Sequence, residues 1–175
     1  MADGRFDYFV ILAEMRTGSN ALAATLNLFD GISCLGEVFN PAFVGGPSKS
    51  ELFGMDIAAR ERDPLALLER IKRGAPLRGF RFFHDHDPRV LDALLPDPRC
   101  AKIVLSRDPV EAYVSRKIAE TTGQWLLTDA RDRKRARIRF DAAEYEAATA
   151  KHTAFQARVR RALQSTGQTA FPIDH

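Results

Sequence analysis

Arg16-Thr17-Gly18-Ser19-Asn20 stands two residues after an apolar run, Tyr8 to Ala13, and directly before a helical pattern. A strand-to-helix turn of this kind aims backbone N–H groups and the positive end of a helix at one spot. Gly18 permits a tight turn, Ser19 and Asn20 add side-chain donors, and Arg16 supplies a fixed, planar cation. The chemistry on offer is the holding of a phosphate or a sulfate. The Walker pattern G-x-x-x-x-G-K-[ST] is not met, because Glu14 and Asn20 do not fit it and no acidic strand end is present for magnesium. A second group has the same character. Arg107 stands at the end of the strand-like run Ala101 to Ser106, and Ser115 follows eight residues later in the next helical pattern. Ligands of open α/β sheets bind at the carboxyl ends of strands. Two separate anion sites at two strand ends predict a ligand charged at both ends.

These groups need a scaffold, and the chain spells one out. Tyr8 to Ala13, Ile32 to Leu35, Arg78 to Phe83 and Ala101 to Ser106 read as strands, and Thr169 to Ile173 as the start of another. Leu22, Ala23, Leu26 and Phe29 have helical spacing, with Ser19 or Thr17 suited to cap that helix. Asp63-Pro64 and Asp108-Pro109 each pair a cap with a first-turn proline, opening helices over 65–72 and from about 110 to 120. Pro88 to Leu95 predicts a short helix and Asp141 to Gln164 a long one, with Phe155, Val159 and Leu163 on one side. Residues 42–62 are the least regular part. Strands alternating with helices imply an α/β layered fold with a mostly parallel sheet, as one domain over residues 1–175.

Composition bounds the function. Hydrophobic residues make up 45% of the 175 and charged residues 28%, which supports a packed core. The net charge of +3, from 26 basic and 23 acidic residues, is too mild to argue for nucleic acid and suits a small, highly charged anion. Cys34 and Cys100 lie far apart without metal-like spacing and read as reduced thiols of a cytoplasmic protein. No run reaches transmembrane length.

Taken together, the paired elements resemble the sulfotransferases that use 3′-phosphoadenosine 5′-phosphosulfate. The nearest likeness is to bacterial carbohydrate sulfotransferases of the nodulation-factor and trehalose type. Arg16 to Asn20 match that family's loop for the 5′-phosphosulfate, and Arg107 and Ser115 match its 3′-phosphate pair. "LGEVFNP" resembles the Gly-Glu loop after the first helix, and "ETTGQWL" the segment after the 3′-phosphate helix. The likeness spans roughly residues 8 to 127. It implies a P-loop-NTPase-like three-layer sandwich and sulfuryl transfer to a hydroxyl of a carbohydrate or glycolipid, without a metal. It also implies that Arg16 stabilises the leaving group and that Glu37 is the base. Met15 and Asn20 depart from the family pattern, which has proline and a hydroxyl residue there.

Four further features carry weaker chemistry. His84 and His86 flank Asp85 but have no third ligand; His84 is placed either in the acceptor pocket or simply at a strand end. Gln124 is a ligand hydrogen-bonding candidate. Trp125 either stacks on adenine or sugar, or packs in the core. The basic run at 131–139 reads as a solvated surface segment. Relatives of this type continue past a strand like "TAFPID", so the chain is expected to lack a C-terminal part of the fold. An apolar patch near that strand would then favour a homodimer. A nucleotide-binding protein without turnover and a nucleotide kinase are the competing readings.

Overall fold

The computed structural model describes residues 6–73, 75–125 and 130–175. Its frame is a five-stranded sheet made of β1 (Tyr8–Leu12), β2 (Ile32–Cys34), β5 (Leu77–Phe82), β6 (Cys100–Ser106) and β7 (Phe171–Asp174), in the order β2-β5-β1-β6-β7. Every pairing in it is parallel, so all five strands end at the same edge. β1 is the centre. Val10 lies level with Phe80 on one side and Lys102 on the other, and Leu12 with Phe82 and Val104.

Strand side chains alternate between the two faces of a sheet, and the core follows that rule. Tyr8, Val10 and Leu12 join one buried cluster, while Phe9, Ile11 and Ala13 join another. The first cluster is closed by α3 (Pro64–Lys72) through Leu67, Leu68 and Ile71, and by α4 (Pro88–Leu94) through Val90, Leu91 and Leu94. The long α6 (Ala142–Thr166) adds Phe155 and Val159 to the same face. The second cluster is covered by α1 (Ser19–Leu26) through Ala23, with Leu22 and Leu26 packed beside it. Burial on both faces explains why β1 has no charged residue.

The helix starts are local chemistry. Asp63 accepts from Ala66 N at 3.0 Å, and Asp108 from Val110 N at 2.9 Å and Glu111 N at 3.0 Å, the latter opening α5 (Pro109–Thr122). Asp141 does the same for Glu144 N at 3.0 Å, and Gly167 closes α6 in the left-handed conformation. Two expectations need correction. Neither Ser19 nor Thr17 caps α1: the cap position belongs to Gly18, and no side chain bonds the first turn. Thr17 is drawn elsewhere, its hydroxyl donating to the Glu14 carbonyl at 2.7 Å. The segment 42–62 is also more regular than its sequence suggests. It holds a hairpin, β3 (Glu51–Leu52) with β4 (Met55–Asp56), and then α2 (Ile57–Arg62), which Asp56 caps. Strands of two residues are too short to show alternation.

Candidate anion site and adjoining cavity

The ends of β1 and β6 are neighbours, because the two strands pair directly. The loop after β1 and the start of α5 therefore meet. Arg16 Nε donates to Ser115 Oγ at 3.0 Å, and Arg107 Nη1 donates to the Arg16 carbonyl at 3.0 Å. Arg16 Nη1 also reaches the Trp125 carbonyl at 2.6 Å. The two anion sites read separately in the sequence are thus joined in one cluster. Adjacent strands sit about 5 Å apart, so side chains leaving their ends cannot stay separate.

This cluster has an electrostatic signature. Burial holds the Arg16 guanidinium below its ordinary value, and the nearby Arg107 cation adds to that effect. Arg107 is balanced by Glu111 at 3.2 Å, one turn along α5, whose side chain is largely exposed. Two cations brought together, one of them partly desolvated, are relieved by an anion between them. The backbone agrees. Arg16 has φ 69, a left-handed conformation that costs a non-glycine residue roughly 1–3 kcal/mol and gathers at ligand sites. Gly18, at φ 88, follows, and the first turn of α1 leaves its amides without intrahelical acceptors.

Each residue singled out in the sequence has a definite place. Thr17 is buried and ties the loop to Glu14. Ser19 is buried, and its hydroxyl accepts from Arg81 Nη1 at 3.3 Å. Asn20 is exposed at the start of α1. Gln124 is consumed by a loop: its amide donates to the Asp132 carbonyl at 2.9 Å and its oxygen accepts from Lys134 N at 2.8 Å. Trp125 is half exposed, which removes the core alternative. Leu126, the last residue of "ETTGQWL", lies outside the described residues.

Two carboxylates near the loop differ in what they face. Glu37 meets Arg81 at 3.2 Å and accepts from Asn40 Nδ2 at 2.7 Å, with His86 Nε2 3.9 Å away. Its partner is an inward-facing arginine, not the surface base that a loop carboxylate would ordinarily find. Glu14 instead lines a cavity of about 460 Å³, together with Met15, His84, Tyr113, Arg116 and His152. Glu14 was not read as functional in the sequence; nothing in its local pattern marks it. His84 is in that cavity wall, with Nδ1 2.6 Å from Glu14 Oε2, while His86 is buried against Phe82 and Phe83. The two histidines therefore diverge, and among the described residues no group of three or more His, Cys, Asp or Glu could hold a metal. His175, at the end of β7, lays its ring against Gly18, a neighbour that only the strand order reveals.

No protein-family model and no curated protein matches the chain.

Proposed function

We propose that the chain is a sulfotransferase that binds 3′-phosphoadenosine 5′-phosphosulfate through its loop after β1 and the start of α5. The fold would be the P-loop-NTPase-like sandwich of that family, working in the cytoplasm. The observation that carries the reading is the Arg16–Ser115–Arg107 cluster at the carboxyl ends of two adjacent parallel strands. It pairs a partly desolvated cation with a second one beside a helix N-terminus, where anions are favoured.

The donor supplies the sulfuryl group and a good leaving group. The chain's part is position and charge. Arg107 and Ser115 hold the 3′-phosphate. Arg16 and the first-turn amides of α1 face the 5′ side, where negative charge grows as the sulfuryl group leaves. The acceptor, a carbohydrate or glycolipid hydroxyl, enters the cavity beside Glu14 and His84, whose wall also carries the polar Arg116 and Lys151.

Thermal shift tests this directly. Adenosine 3′,5′-bisphosphate should raise the melting temperature, and ATP with magnesium should not. The opposite order would favour a nucleotide kinase. Stabilisation by the bisphosphate with no sulfate transfer would leave a nucleotide-binding protein without turnover.

A further inference from the structure

We propose that Glu14 and His84 form the base of this site, with His84 taking the proton of an acceptor hydroxyl and Glu14 fixing its ring. The proposal rests on the sulfotransferase reading above.

The pair is built by register. β1 and β5 run parallel with Leu12 level with Phe82, and Ala13 N still bonds the Phe82 carbonyl at 3.1 Å. Two residues beyond the ends of β1 and β5 stand Glu14 and His84, which the alternation of side chains puts on the face of Leu12 and Phe82. At this end of the sheet α6 lies on that face. One stripe of α6 continues from Phe155 and Val159 in the core back through His152, Lys151, Ala148, Ala147 and Glu144, and these five line the cavity. The dyad is thus where the apolar core stops and an open space with a mixed polar and apolar wall begins.

The geometry suits proton transfer. Glu14 Oε2 engages His84 Nδ1, and Glu14 Oε1 is buried without a partner, so the carboxylate spends its hydrogen bonding on His84 alone. Nδ1 is then the protonated nitrogen, which leaves Nε2 as the acceptor; among the described residues it has no hydrogen-bond partner. A carboxylate that fixes the tautomer of an imidazole and supports its charged form is a general device for making a base. Glu37 lacks that freedom, since Arg81 and Asn40 occupy both its oxygens. In the step, the acceptor oxygen bonds to sulfur as its proton passes to His84 Nε2. The bond from sulfur to the bridging oxygen breaks, and that electron pair leaves with the bisphosphate.

Charge around the ring sets the pH response. Glu14, two residues past β1, and Asp85, next to His84 in the chain, favour the imidazolium, while Lys151 on α6 opposes it. Tyr113, His152, Arg116 and Glu144 complete the cavity's charged and titratable wall. The hydrogen bond to Glu14 leads, and His84 is held above its ordinary value despite partial burial. The neutral base is then lost as pH falls through that raised value.

The test measures bisphosphate affinity by calorimetry and, separately, sulfate transfer from the donor to trehalose, to chitotriose and to water. His84→Gln should keep bisphosphate affinity and lower transfer about 100- to 10,000-fold. Glu14→Gln should lower transfer less and move the acid limb of the rate to lower pH; a purely structural tie would leave that limb in place. Glu37→Gln is the competing arm. The assignment is overturned if His84→Gln transfers at the wild-type rate, or if Glu37→Gln alone abolishes transfer. It is also overturned if wild-type protein binds bisphosphate yet transfers sulfate to none of the three acceptors. Failure to bind bisphosphate at all would instead remove the underlying sulfotransferase reading.

Discussion

At the residue scale, Arg16 holds the site together and charges it. Its side chain spans from the loop after β1 to Ser115 in α5 and to the Trp125 carbonyl, and its own carbonyl receives Arg107. A lysine would keep the charge but could not make two directed bonds from one planar group. Arg16→Lys should therefore weaken bisphosphate binding while leaving the fold intact, as far-ultraviolet circular dichroism can verify. Arg107→Ala should cost roughly 2–4 kcal/mol of bisphosphate affinity, the range for a partly buried charged contact. Ser115→Ala removes a neutral partner and should cost about 1 kcal/mol. Calorimetry that gave all three variants the wild-type affinity would break the link between this cluster and the anion.

At the element scale, the loop between β2 and α2 shows how backbone shape can matter more than side chains. Gly36 has φ 84, and a Cβ there would collide with the Gly45 carbonyl oxygen, because Glu37 and Gly45 form an antiparallel bridge across the loop. Arg60 clamps the same loop from below, donating to the carbonyls of Val38, Asn40 and Phe43 at 3.0, 2.7 and 2.9 Å. Gly31 has a similar φ of 82 with open space around its Cβ position. Gly31→Ala should thus cost about 1 kcal/mol for conformation alone. Gly36→Ala should cost at least 2–3 kcal/mol more, roughly the scale of a core overpacking. Denaturant midpoints of the two variants decide it; equal midpoints would mean that the bridge can open freely.

At the scale of the whole molecule, His86 should make stability sensitive to acid. His86 is buried against Phe82 and Phe83, and burial lowers its pKa from 6.5 to about 4. Between those values the unfolded chain takes up a proton that the folded chain refuses. Stability from this group is therefore complete above about pH 6.5 and falls as the pH drops toward about 4. The full loss is on the order of 3 kcal/mol. His84 acts in the opposite sense: its raised value adds stability at low pH that is lost as pH rises through it. His86→Gln, which keeps an acceptor for Phe83 N, should flatten the acid side of the stability curve in denaturant titrations. An unchanged slope would place the acid sensitivity elsewhere. Among the described residues no helix is long and apolar enough to cross a membrane. β7 forms an edge of the sheet with Phe171 more than half exposed.

The amino-acid sequence by itself determined what depends on near neighbours. Aspartates at 63, 108 and 141 cap the helices they precede, and β1 is an unbroken apolar run while β6 is a strand-forming run interrupted by Lys102, because capping and burial are written within a few residues. Arg107 and Ser115 were legible for the same reason, one at a strand end and one on the helix that follows. Tertiary structure decided what depends on strand order. β1 lies between β5 and β6, strands some 70 and 90 residues away, and that placement brings Glu14 to His84 and Arg16 to Ser115. β7 lies beside β6, which carries His175 to Gly18. No local pattern encodes such pairings. They follow from which strands bury their faces together, and that choice is made by the whole core at once.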